Sequence, residues 1–229
     1  MRRYTLTLMA LLVCLMFSGC FTKKQEPVEI TLPFTLDLSQ VEEGTLPKEI
    51  RVITGDWKVI DNALEVNFPP QSGEGLGAFL HFRGLELADF DMRVSISFEA
   101  VDSDSRFAML LFRADHLNLP RHKIQVRRGG TRADGLRVLF RNAANTSKEQ
   151  ARASYSENFE LGEVYDFRLA VCGNKVKLFI DDNLVFDVEI AEEEWHKDKG
   201  AVGLGVFGGR VRFSNISIDS ITPEEFEAL

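Results

Sequence analysis

The sequence predicts an all-β chain of antiparallel strands packed as two sheets face to face. Three observations carry this. First, Tyr165–Val171 alternates: Tyr165, Phe167, Leu169 and Val171 fall on one face, Asp166, Arg168 and Ala170 on the other. A period of two marks a strand with one buried face. Second, such runs recur with short turn signals between them. Gly173–Asn174 leads into Lys175–Ile180, and Asp181–Asp182–Asn183 into Leu184–Val188, which makes a three-stranded meander. Third, the connections leave no room for crossover helices, so the pairing is antiparallel, and two such sheets bury their alternating sets on each other.

The elements follow in order. Glu29–Leu38 alternates and reads as the first strand; Gln40–Glu49 is a loop and Ile50–Ile53 a short strand. Gly55–Val66 reads as strand, turn at Asp61–Asn62, strand, with Trp57 and Val59 on the core face. Pro69–Gly77 is a loop, and Gly77–Phe82 a strand ending at Arg83–Gly84. Phe90–Ala100 alternates throughout. Arg106–Arg113 is apolar on both faces, which places it mid-sheet with cover above and below. Lys123–Arg128 and Leu136–Arg141 form a hairpin over Gly129–Gly135. Asn142–Ser156 shows no period and is either a long loop or a loop with one short helix around Ser147–Ala153. Ala191–Lys199 is a charged connection. Gly200–Phe207 and Val211–Ile218 are the last strands, and Thr222–Leu229 is a tail.

The chain has 229 residues, 45% of them hydrophobic, enough for one sizeable core. Its formal charge of −8 argues against nucleic acid as a partner. Arg2 and Arg3 precede an apolar run, Leu6–Phe17, too short to span a membrane as a finished helix. Phe17–Ser18–Gly19–Cys20 resembles the lipobox of bacterial lipoproteins, with Phe17 where that family usually carries Leu. The resemblance implies cleavage before Cys20 and acylation of its thiol and its new amino end. Residues 1–19 are then a signal peptide, 20–28 a lipidated tether and 29–229 a single β-sandwich domain. The acyl chains on Cys20 would make the membrane a partner. The expected location is the cell envelope: the outer membrane if the cell has one, otherwise the outer face of the cytoplasmic membrane. Only Cys172 remains for the folded domain, so no internal disulfide is available; beside a turn, it reads as a structural thiol.

Several short motifs, taken in order, carry a family resemblance. They are Gly55-x-Trp57-x-Val59, Phe90-x-Met92, Leu111–Phe112–Arg113, Tyr165–Asp166–Phe167–Arg168-x-x-Val171-x-Gly173, Gly200-x-Val202–Gly203–Leu204 and Phe213-x-Asn215–Ile216. From Leu32 to Ser220 the chain resembles the concanavalin A-like lectin/glucanase sandwich, in particular laminin-G-like domains and the keto-disaccharide hydrolase-like domains of bacterial envelopes. The resemblance implies a jelly-roll of two curved antiparallel sheets whose concave face and rim loops often bind sugars. A fold of this kind does not by itself imply catalysis.

Hydrolases of this fold carry a strand of closely spaced acids, which the chain lacks; the nearest set is Glu99, Asp102 and Asp104. That set reads as a solvated turn, with a calcium loop as the alternative, so calcium is the only cofactor considered. The densest polar cluster is Arg113, Asp115, His116, Arg121, His122, Gln125 and Arg127, with Arg113 continuing the Phe107–Met109–Leu111 face. Arg113, Gln125 and Arg127 are the candidate floor for a sugar or an acidic glycan, with Asp115 and His116 as further ligand-binding candidates, since a planar guanidinium makes paired hydrogen bonds to hydroxyl or carboxylate oxygens. The alternative is a strand-end cation network. Trp195, in a charged connection, either stacks on a sugar or plugs the sandwich edge. The histidines show no metal-ligand spacing. Gly203-x-Gly205-x-x-Gly208 matches a dinucleotide fingerprint in letters only, because a strand follows it. The expected function is an envelope-anchored, non-catalytic carbohydrate-binding module. The alternatives are a glycoside hydrolase of the keto-disaccharide type, with Glu99, Asp115 and Asp134 as candidate acids, and a structural protein holding an envelope protein partner.

Overall fold

Turn chemistry sets the strand boundaries. Asp61 and Asn62 take φ of 47° and 58°, and Asp181 and Asp182 take 48° and 62°. Two successive positive φ values make the turn that matches strand twist in a two-residue hairpin, and Asp and Asn tolerate them. Gly173 does the same at 57° as the first residue of its turn.

The computed structural model describes residues 28–68, 77–100, 107–114, 121–127, 136–141, 147–153, 159–191 and 199–229. The strands are β1 (Phe34–Thr35), β2 (Ile50–Thr54), β3 (Trp57–Ile60), β4 (Ala63–Phe68), β5 (Ala78–Leu87), β6 (Phe90–Ala100), β7 (Phe107–Ala114) and β8 (Arg121–Arg127). They continue with β9 (Leu136–Arg141), β10 (Ser147–Ala153), β11 (Val164–Cys172), β12 (Lys175–Ile180), β13 (Asn183–Glu189), β14 (Gly200–Phe207) and β15 (Gly209–Asp219). A short helix, α1 (Pro223–Glu227), follows. An eight-stranded sheet runs β13-β12-β11-β6-β15-β4-β3, with β1 also on β15; a seven-stranded sheet runs β10-β9-β8-β7-β14-β5-β2. The strand ladders are antiparallel throughout, as in a jelly-roll sandwich.

The core lies between the sheets. Phe90, Met92, Val94, Ile96 and Phe98 of β6 enter it from the eight-stranded sheet, and Leu110, Phe112, Ile124, Val126, Val202 and Leu204 from the seven-stranded one. Each buried side chain of this size contributes about 1.5–3 kcal/mol. Trp57 is in this core at 3% exposure, against Phe213 with centroids 5.8 Å apart, and its indole N–H donates to the Thr54 carbonyl at 3.0 Å.

The structure bears out the meander β11–β13, the hairpin β8–β9 and the mid-sheet place of β7, fourth of seven. It corrects four expectations. The alternation of Glu29–Leu38 is present in burial, but the strand is only Phe34–Thr35, with Leu36 N–H adding one bond to the Ile216 carbonyl at 3.0 Å; Pro33 has no N–H to extend the ladder toward Glu29. β5 runs through Gly84 to Leu87; Gly84, at φ 72°, does not end the strand but leaves room for the Val28 carbonyl. Ser147–Ala153 is strand β10, not loop or helix. It is the edge of its sheet, and its sequence, Ser-Lys-Glu-Gln-Ala-Arg-Ala, does not alternate. The tail contains α1, whose Phe226 docks against Ala170 and Ile221.

Candidate functional site

Strand alternation gives the seven-stranded sheet two faces. Beyond the core face, Phe79, Met109 and Leu111 form a second apolar cluster with Ile53, Phe107 and Phe207. These residues alternate with core residues, so they lie on the outer face. Met109 is 1% exposed and Leu111 0%, so the middle of this face is covered, while Ile53, Phe107 and Phe207 are only partly buried.

Glycines shape its floor. Gly203 and Gly205 alternate with core residues Val202, Leu204 and Val206, so β14 presents hydrogen atoms outward. A Cβ on Gly203 would collide with the Leu80 carbonyl oxygen and stand 2.8 Å from His81 Cδ2. One on Gly205 would stand 2.7 Å from Phe79 Cδ1 and 3.0 Å from the Met109 methyl. The missing side chains let the neighbouring strands close over β14 from both sides.

Polar groups sit on the same face. His81 lies opposite Gly203, and Lys123, Gln125 and Arg127 lie opposite Leu111, Met109 and Phe107. His81, Lys123 and Gln125 are all buried. The Gln125 carboxamide oxygen is buried with no hydrogen-bond partner among the described residues. At one end Phe107 and Phe207 stack at 5.1 Å and 15°, with the Arg127 guanidinium carbon 5.3 Å from the Phe107 centroid. The face is an apolar floor with a few polar groups set into it, which is the general form of a small-molecule site.

The expected residues divide. Gln125 and Arg127 are brought together on this face. Arg113 does not continue the Phe107–Met109–Leu111 face. The register slips between Gly203↔Leu111 and Ala201↔Ala114, and Arg113 takes φ 48° within that bulge. A bulge re-aims a side chain, and this one turns across the sandwich. Its Nε and Nη2 donate to the Ala88 carbonyl at 3.0 and 2.9 Å, and Nη2 also to the Gly173 carbonyl at 2.8 Å and Asp89 at 3.2 Å. At 2% exposure it is a clamp between the sheets. His122 faces the core, stacked on Phe112 at 5.3 Å. Glu99 lies on the outer face of the other sheet, where it accepts from the Ser97 hydroxyl at 2.6 Å, so it cannot share a site with Gln125. Asp115, His116, Asp134, Trp195, Cys20 and the pair Asp102 and Asp104 lie outside the described residues. Among the described residues no three His, Cys, Asp or Glu side chains converge to hold a metal. The Cys172 thiol is held above its ordinary pKa, first by burial and then by the Asp89 charge.

Sequence reasoning missed His81 and Lys123, and it missed the floor. The floor had a signal: in Val202–Val206 glycine occupies each position that alternates with a core residue.

This architecture defines the class: a two-sheet antiparallel jelly-roll domain. The chain belongs to the 3-keto-alpha-glucoside-1,2-lyase-like domain family, which it matches over residues 42–219. It is therefore a carbohydrate-related domain. No curated protein matches it. Among solved structures it is similar to the carbohydrate-binding module CBM66 from Bacillus subtilis, with 17% identity, 75% of this chain and 96% of that one covered, and a TM-score of 0.61. The apo Crh5 transglycosylase shares 11% identity over 87% of this chain and 88% of its own, at a TM-score of 0.62. The alginate lyase Aly36B, a mutant in complex with alginate tetrasaccharide, shares 11% over 84% and 98%, at 0.54. At these identities the likeness is one of fold.

Proposed function

We propose that this domain is a non-catalytic carbohydrate-binding module, anchored to the cell envelope through lipid on Cys20, that seats a glycan on the outer face of the seven-stranded sheet. The observation that carries the reading is the Gln125 oxygen, a buried acceptor with no hydrogen-bond partner among the described residues. Such an acceptor costs about 1–3 kcal/mol, and a sugar hydroxyl would satisfy it. The Phe107–Phe207 pair and Arg127 stand at one end of the same face, where a sugar could stack and donate to fixed groups. Family membership and the CBM66-like fold agree with a sugar ligand.

The test is Gln125→Leu in the whole chain, read twice. Leucine fills a similar volume without the unsatisfied oxygen. The variant is expected to unfold at a higher temperature while losing retention on a broad glycan array. Unchanged retention would overturn the reading.

A second reading is favoured by the family and by one residue. In a 3-keto glucoside the C2 proton is acidified by the adjacent ketone, so a base can remove it as the group on C1 departs. His81 is a buried imidazole on this face, and an imidazole nitrogen is the side-chain group most often used as a general base. Release of an aglycone from a 3-keto α-glucoside, abolished by His81→Ala, would establish this reading over binding alone.

A further inference from the structure

The opposite side of the sandwich carries a cavity that the site above does not use. It is a groove of about 410 Å3 on the outer face of the eight-stranded sheet, across β6, β11 and β15. That volume falls in the ~300–1,000 Å3 range of ligand pockets. Its floor is Ser95, 2% exposed, whose hydroxyl donates to Asp166 Oδ1 and accepts from Asn215 Nδ2 at 3.0 Å. Asn215 reaches this place because β15 bulges between Ser214 and Ser217, with Asn215 at φ 50°. The amide gives one proton to Ser95, which leaves its second proton and its carbonyl oxygen for the groove. The rim is the turn Asp181–Asp182, where Asp181 Oδ1 accepts from the Asp166 backbone N–H at 2.9 Å.

The charges are arranged for a ligand, not for internal pairing. Arg168 is committed to Asp91, with Nε–Oδ1 at 3.0 Å and Nη2–Oδ2 at 2.8 Å. That leaves Arg93 against Asp166, Asp181 and Asp182. Among the described residues neither Arg93 nor Asp182 makes a side-chain hydrogen bond or ion pair. Carboxylates and amides at this spacing accept from and donate to adjacent hydroxyls, while their excess negative charge repels an acid.

We propose that this groove is a second saccharide subsite, taking a hexose-sized ring that is neutral or amine-bearing in preference to a uronic acid. It does not rest on the first face, because no residue is shared.

The test is an NMR titration of the whole chain with glucose, glucosamine and glucuronate. Glucosamine is expected to bind with millimolar affinity and to move the amides of Ser95, Asp166 and Asn215, with glucose weaker and glucuronate weakest. Asp182→Asn keeps a residue suited to its positive φ, so the fold is retained, and it is expected to weaken glucosamine about tenfold, the effect of one charge-assisted hydrogen bond. Asp166→Asn is expected to weaken it at least as much. Shifts confined to Lys123–Arg127, tightest binding by glucuronate, or no shift at the groove up to ~20 mM would each overturn the proposal.

Discussion

Arg113 is a cation buried at 2% exposure that binds two backbone carbonyls and one half-exposed carboxylate. Gly200 makes the arrangement accessible, since a Cβ there would stand 2.6 Å from the Arg113 carbonyl carbon. Truncating Arg113 leaves the Ala88 and Gly173 carbonyls without this donor and costs about 3 kcal/mol. Arg113→Ala is therefore expected to lower the melting temperature by roughly 6–12 °C. Arg113→Lys should recover only part, because an ammonium lacks the planar fork that serves acceptors on two loops. A melting temperature unchanged in Arg113→Ala would remove the clamp. The residue type and its place beside a buried strand were legible in the sequence. Its direction was not, because strict alternation puts Arg113 with Leu111, and only the bulge at φ 48° turns it inward.

At the scale of the element, α1 shows how a short segment is held. Thr222 accepts from the Glu225 N–H at 3.2 Å and Glu225 accepts from the Thr222 N–H at 2.8 Å, a reciprocal capping box. The helix is tied to β12 by Lys175–Glu227 at 2.7 Å and by Lys177, whose ammonium donates to the Phe226 carbonyl at 3.0 Å and lies 4.8 Å from the Phe226 ring centroid. The Thr222 N–H, then its hydroxyl, holds the Glu225 carboxyl below the ordinary 4.5, and Lys175 does the same for Glu227. A lowered carboxyl pKa contributes stability that is present above 4.5 and lost as pH falls through the folded value. Lys175 is raised by Glu227, so its share is present below 10.5 and lost as pH rises through its folded value. The protection factors of the Phe226 and Ala228 amides, with the intrinsic pH dependence of exchange removed, should therefore fall on acidification below 4.5 while those of the β6 amides hold. Thr222→Ala should produce the same local opening at neutral pH. Simultaneous loss at both places would show that α1 is not a separate unit. The box Thr222-x-x-Glu225 with Pro223 was written in the sequence, whereas β10 was not: an edge strand has no second partner to impose a period on it.

At the scale of the molecule, the order of strands along the chain is far from their order in space. β15, the last strand, lies between β6 and β4 over its first half and between β6 and β1 over its second. Without it, β4 and β3 lose their tie to the rest of the sheet, and Val211, Phe213, Ile216 and Ile218 leave the core. Burial of four such side chains contributes about 6–12 kcal/mol, which is the whole net stability of an ordinary domain. A chain ending at Phe207 is therefore expected to show no cooperative unfolding transition. A chain ending at Ser220 loses only α1 and Ile221, keeps every strand, and should melt cooperatively at a lower temperature. The same topology places the two proposed saccharide faces on strands of different sheets, so the Ser220-terminated chain should keep the NMR response to glucosamine expected at Ser95 and Asn215. A cooperative transition in the chain ending at Phe207 would mean that the seven-stranded sheet and β6–β11–β12 fold without the strand that closes them.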